Sequence, residues 1–210
     1  MRVVILGAGG HGQVVADMIW CMQRAGMDIL PAAFLDDDPA RQGRTYLDVP
    51  VCGGTADLPK IAHEGVVVAI GNGRIRQRLF GEMQGKGETM VVVRHPTAVV
   101  ASDVRIGPGT MICANVVINT GAVIGQNVIL NTGCTVDHHN RIGDHVHVAP
   151  GVHLGGDVQV GEGALIGIGA VVLPQRRVGN WAIVGGGAVV VKDVGEGETA
   201  VGNPARPIVK

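Results

Sequence analysis

His138, His139, His145 and His147 put four of the chain's eight histidines within ten residues, in the stretch VDHHNRIGDHVHVAPGVHLGG that begins at Val136. Imidazole exchanges a proton near neutral pH and ligates transition metals, so three roles compete: acid–base catalysis, a metal site, or a solvated face. Asp137 stands next to His138, and a carboxylate bonded to the ring would set its tautomer. Neighbours on a strand, however, point to opposite faces. Asn119, eighteen residues earlier, is a second partner to consider for Asp137. The residues alone leave the choice open.

A second group is suited to holding phosphate. Gly7, Gly9 and Gly12 form GxGxxG between an apolar strand and an amphipathic helix, where the first amides of the helix face an anion. Gly9, Gly10 and His11 are the substrate-facing candidates of that turn. Asp36 lies 24 residues past Gly12 and, with Asp37, ends a second strand, near where a βαβ unit places its ribose- or base-binding carboxylate. GVVVAIGNGRIRQRL repeats the strand, glycine turn and helix, with Gly71 and Asn72 at the turn.

These groups need elements to position them. Residues 1–96 read as an α/β, Rossmann-like domain, with MVVVRHPTAVV as a last strand running into a repetitive second half. From Val100, steps of six meet only Ile, Leu or Val as far as Val190: sixteen positions in succession. Chance would give that on the order of once in a million for such a composition. The fifth residue of each hexad is mostly small or β-branched, Asn140 and Arg176 excepted. A period of six fits short strands joined by tight turns, three hexads per coil, with residues eighteen apart stacked at the ladder spacing of about 4.8 Å. About five coils are expected over 97–196, and 197–210 form a tail. One aliphatic residue per hexad fills a narrow interior, which suits a chain with 34 glycines and two Phe, one Tyr and two Trp.

Composition excludes several classes. The net charge is −1 and no basic patch stands out, so neither nucleic acid nor a membrane surface is an expected partner. No apolar run approaches the roughly 20 residues of a spanning helix. The N-terminus reads as a strand and the expected location is cytoplasmic. Cys21, Cys52, Cys113 and Cys134 form no CxxC pair; they read as small buried residues, and the inward position of Cys134 speaks against a nucleophile.

GAGGHG, FLDDD, AIGNGRIR, RHPTA, the hexads, the histidine stretch, VLP, VGGGAVVVKDV and VGNPARP come in this order across essentially the whole chain. Together they resemble the bacterial nucleotide-sugar acetyltransferases of the hexapeptide-repeat class, which act on UDP-4-amino sugars, GDP-perosamine or sialic acid; GDP-perosamine N-acetyltransferase is the first choice among them. The resemblance implies a left-handed parallel β-helix, a homotrimer with active sites between neighbouring prisms, and acetyl-CoA as co-substrate. It implies a nucleotide-linked amino sugar held by the N-terminal domain. It puts the catalytic histidine on His138, preceded by Asp137, with His139 where the family has a second acidic residue. The family's second active-site histidine falls on His147, counted with His138 and Asp137 among the catalytic positions and, with Asn131, among the substrate-binding ones. Main-chain contacts to CoA fall on Gly156, Ile168 and Gly186, and Gly202–Arg206, with Asn203, Pro204 and Arg206, matches a segment that closes over the cofactor.

Acetyl transfer to an amine needs a base with a pKa near 7, a donor for the oxyanion and two substrates held side by side. His138 is the expected base and Gly156 the candidate oxyanion donor, without a covalent intermediate or a metal. His139, His145 and His153 are expected as exposed corner or wall residues. Arg176 and Arg177 read as a solvated loop or as contacts to CoA phosphates, and Trp181 as a subunit or CoA contact. The alternatives are a sugar O-acetyltransferase, a γ-carbonic-anhydrase-like zinc enzyme and a sugar-nucleotide sensor without activity.

Overall fold

The computed structural model describes residues 1–208. The chain divides into two compact units, Met1–Pro96 and a second that starts at Thr97. In the first, strand β1 (Arg2–Leu6) runs into helix α1 (Gly10–Arg24), followed by β2 (Leu30–Leu35), the short hairpin β3 (Thr45–Tyr46) and β4 (Val49–Pro50), β5 (Gly65–Val68) and helix α2 (Gly73–Gly85). β2, β1 and β5 form a parallel sheet with β1 in the middle. β1 and β5 are nearly continuous apolar runs, buried from Val3 to Leu6 and from Gly65 to Val68, as parallel strands covered on both faces read. α1 buries Val15, Ala16, Met18, Ile19 and Met22 at helical spacing. MVVVRHPTAVV does not form one strand. Val93–Arg94 and Val99–Val100 are separate short strands, and the second is the first rung of the next unit.

That unit is a parallel β-helix. Its strands are mostly two residues long and stack with their counterparts eighteen residues on, for example Val117 with Thr135 and Thr135 with His153. Three walls result. The first holds Val99–Val100, Val117–Ile118, Thr135–Val136, His153–Leu154, Val171–Val172 and Val189–Val190. The second runs from Arg105–Ile106 to Arg177–Val178, and the third includes His147–Val148, Leu165–Ile166 and Ile183–Val184. Each rung points one aliphatic inward. All sixteen positions of the hexad series are buried except the first two, Val100 and Ile106, which are half-buried. The interior also takes polar side chains. Thr110 and Asn140, both fully buried at fifth hexad positions, bond to main-chain carbonyls of the corners.

The expected boundary at 196/197 falls inside the last turn. After Val178 the register shortens from eighteen to sixteen, pairing Val178 with Val194 and Ile183 with Thr199. Thr199–Val201 is therefore a further strand of the third wall, and Arg206–Pro207 pairs antiparallel with it. The helix thus has five full turns and part of a sixth.

Candidate active site

The first unit carries a cleft of about 480 Å³ at the C-terminal ends of β1, β2 and β5, lined by Gly7, Gly9, Gly10, His11, Asp36 and Gly71 among others. Gly7 has φ 103°, and a Cβ on Gly12 would run into its carbonyl, so helix and strand meet at a distance only glycine allows. Both acidic candidates are held by the chain itself. Asp36 accepts the Ala8 N–H at 2.7 Å and the Asp38 N–H at 2.9 Å, and Asp37 accepts the Thr55 N–H and hydroxyl. Asp36 thus fastens the second strand to the glycine turn. Asn72 caps α2, its Oδ1 accepting from the Ile75 N–H at 3.1 Å.

His138 and His139 sit on the corner after the first wall, both exposed. His139 adopts φ 59°, the left-handed conformation of a tight corner. Each ring lies over a glycine of an adjacent turn, His138 over Gly156 and His139 over Gly121; a Cβ on either glycine would overlap the imidazole. Gly156 therefore lets the His138 ring lie against the backbone of the next turn. Asp137 does not hold the His138 ring. Its Oδ1 accepts the His138 backbone N–H at 2.8 Å and the Asn119 amide at 2.9 Å. The Asn119 bond first, then the His138 N–H, hold the Asp137 carboxyl below the usual carboxylate range. The His138 ring meets His139, Nδ1 to Nδ1 at 3.0 Å.

The other candidates lie elsewhere on the helix. His147 is in the third wall, half-buried, its Nε2 3.3 Å from the Asn131 amide nitrogen, while Asn131 Oδ1 accepts the Thr132 N–H. Ile168 and Gly186 stack on the corner after that wall, both exposed. Gly202–Arg206 folds back on the end of the first wall: the Val189 N–H donates to the Gly202 carbonyl and the Ala205 N–H to the Val189 carbonyl. One chain thus groups His138 with Gly156, and His147 with Asn131, but on different sides of the prism.

The family profile described as PglD N-terminal domain matches residues 2–83. The chain is 38% identical over 113 residues to UDP-N-acetylbacillosamine N-acetyltransferase of Bacillus subtilis (strain 168), covering 53% of this chain and 50% of that protein. It resembles the structure of PerB from Caulobacter crescentus in complex with CoA and GDP-perosamine with a TM-score of 0.91 and 40% identity, over 100% of this chain and 98% of that one. It is 41% identical over 209 residues to GDP-perosamine N-acetyltransferase of Escherichia coli O157:H7, covering 96% of this chain and 94% of the relative. The chain belongs to the nucleotide-sugar N-acetyltransferase family.

Several side chains of this N-acetyltransferase take placements that the sequence did not specify. His145, expected on the outside, is 7% exposed, and its Nδ1 lies 2.8 Å from the Asn127 amide. A corner residue with φ 60° can turn its ring inward, and hexad spacing does not report that direction. Trp181 lies over Gly163 of its own chain. Arg176 is half-buried, donates to the Pro174 carbonyl and lies 3.9 Å from Asp193. Arg76 was missed altogether. It is fully buried and donates to the Ile70 and Gly71 carbonyls, bracing the second glycine turn. The run of arginines after that turn, Arg74, Arg76 and Arg78, was the available signal. Burial pushes the thiols of Cys113 and Cys134 up to about 12, so neither is a nucleophile at neutral pH.

Proposed function

We propose that this protein transfers the acetyl group of acetyl-CoA to the 4-amino group of a nucleotide-linked amino-dideoxysugar, with GDP-perosamine as the first candidate and a UDP-4-amino sugar as the second. The glycine-turn cleft of the first unit binds the nucleotide and its diphosphate, with Gly9, Gly10 and Gly71 offering backbone and His11 a neutral ring. Acetyl transfer takes place at the β-helix. The sugar amine enters with its ammonium proton already lost to solvent and attacks the thioester carbonyl; His138 takes a proton from the attacking nitrogen, and the tetrahedral intermediate expels the CoA thiolate, which receives that proton from the imidazolium. Gly156, under the imidazole, is the candidate to face the oxyanion. Ile168, Gly186 and the Gly202–Arg206 segment line the path of CoA.

The observation that carries this reading is an exposed imidazole laid against a glycine of the next turn, in a chain that aligns end to end with GDP-perosamine N-acetyltransferase. Assembly into a homotrimer is part of the proposal. It is supported by the placement of His138 and His147 on different sides of one prism, which a second copy brings together. Among the described residues no helix is long and apolar enough to cross a membrane. The four free cysteines suit a reducing cytoplasm.

The test is a panel of GDP-, UDP- and CMP-linked sugars, amino and hydroxy, incubated with acetyl-CoA and read by mass spectrometry. Acetylation of a 4-amino sugar is expected; acetylation of hydroxy sugars alone would overturn the N-transfer assignment. In the same assay His138→Asn is expected to lower kcat at least a hundredfold, the lower range of what a positioned base supplies, with KM for both substrates nearly unchanged. A near-normal kcat would remove His138 from the base role.

A further inference from the structure

The partner of His138 is set by the geometry around its ring. The Nδ1 atoms of His138 and His139 are 3.0 Å apart, the ring centroids 5.2 Å, and the rings are inclined at 76°. Two lone pairs repel at that distance, and so do two N–H groups. One nitrogen must donate and the other accept. The neighbouring carboxylate is engaged otherwise: Asp137 Oδ1 holds the Asn119 amide and the His138 backbone N–H.

We infer that His139 is the positioning residue of the general base: its neutral ring accepts the Nδ1–H of His138 and thereby leaves the His138 lone pair on Nε2, the atom that takes the proton from the amine. This rests on the acetyl-transfer reading of His138. The arrangement has a consequence for pH. A carboxylate in the same place would attract the imidazolium and raise the pKa of the base. A neutral imidazole provides the acceptor without that charge. Protonation of His139 removes the acceptor and adds a like charge. Three carboxylates also face the pair. Asp137 is adjacent, Asp157 on the next turn has an oxygen within 4.8 Å of nitrogens of both rings, and Asp103, two turns earlier, interacts with His139. They are unchanged when residue 139 alone is substituted.

Position 139, with φ 59°, is one that Asn, Asp and Gly accept readily. Asn and Asp also place Oδ1 where His has Nδ1. His139→Gly is expected to lower kcat about tenfold to a hundredfold, the scale of a lost orienting bond, with KM for acetyl-CoA within about twofold. His139→Asn restores kcat to within a few-fold of wild type. His139→Asp keeps activity but moves the acidic limb of kcat/KM up by about one pH unit. NMR titration of the His138 Cε1–H reads the same shift without substrate, and nitrogen-15 spectra of the wild type show His138 protonated at Nδ1. An unshifted His138 titration in His139→Asp, or a proton on Nε2 of neutral His138, overturns the inference. These two readouts stand even if no sugar in the panel is acetylated, an outcome that would sink the functional reading alone.

Discussion

His11 opens helix α1 at the edge of the cleft, and its surroundings decide its charge. Burial first, and the Arg76 guanidinium second, push its pKa down to about 4. The ring is therefore neutral across the physiological range, so a diphosphate held as proposed would meet a neutral ring there rather than a charge. The linkage runs in one direction. Above pH 6.5 the group is neutral folded and unfolded and contributes nothing. Between 6.5 and about 4 the unfolded chain takes up a proton that the fold refuses, so stability falls as pH drops. At 1.36 kcal/mol per unit the full loss is about 3 kcal/mol. In His11→Gln this part of the acid sensitivity is expected to disappear: thermal unfolding scanned from pH 7 to pH 4.5 should show a smaller fall in Tm than the wild type. Parallel curves would mean that His11 takes its proton in the fold as freely as in the unfolded chain.

Among the elements, a corner of the β-helix carries the proposed base and the walls carry the register. Asn140 connects the two. It occupies an inward hexad position, fully buried, and its Nδ2 donates to the Asp137 carbonyl at 2.7 Å and the Gly155 carbonyl at 2.8 Å. Those carbonyls directly precede His138 and Gly156, the imidazole and the surface it rests on. Its Oδ1 has no hydrogen-bond partner among the described residues, which offsets part of the gain. Asn140→Ala is expected to cost about 1–3 kcal/mol through two buried carbonyls deprived of a donor. Amide hydrogen exchange over 137–140 should speed up, while the rungs near Val172 stay protected. Unchanged exchange at the corner would reduce Asn140 to a filler. The walls were legible in the sequence because each two-residue strand presents one inward aliphatic at a fixed interval, and Val100 to Val190 keep it. The last turn was not, because sixteen residues close it instead of eighteen and the hexad count passes over Val194 and Thr199. Asn140 was visible as a departure from its hexad class. What it holds was not, since its partners come from two different turns. The direction of His145 and the pairing of His138 with His139 escaped for a related reason. Both depend on left-handed corner residues, where spacing carries no record of which way a ring turns.

At the scale of the whole molecule, the geometry of one chain limits what it can do alone. Residues eighteen apart lie directly above one another, so His138 and His147, nine apart, are half a turn from each other around the prism. His138 leaves the corner after the first wall, and His147 stands in the third. If both serve the same acetyl transfer, they come from different copies, and each site combines the first corner of one copy with the third wall of the next. A closed cyclic assembly repeats that contact identically. Two inactive variants, His138→Asn and His147→Ala, then carry complementary lesions. When they are coexpressed in equal amounts and assemble at random, a site is intact when its first corner comes from the His147→Ala chain and its third wall from the His138→Asn chain. In any cyclic assembly that occurs for about a quarter of the sites, so the mixture should recover roughly a quarter of wild-type turnover. The same two variants purified separately and mixed without subunit exchange should recover none. No recovery after coexpression, with light scattering confirming mixed assemblies, would mean that a single copy supplies both histidines or that His147 serves no acetyl transfer.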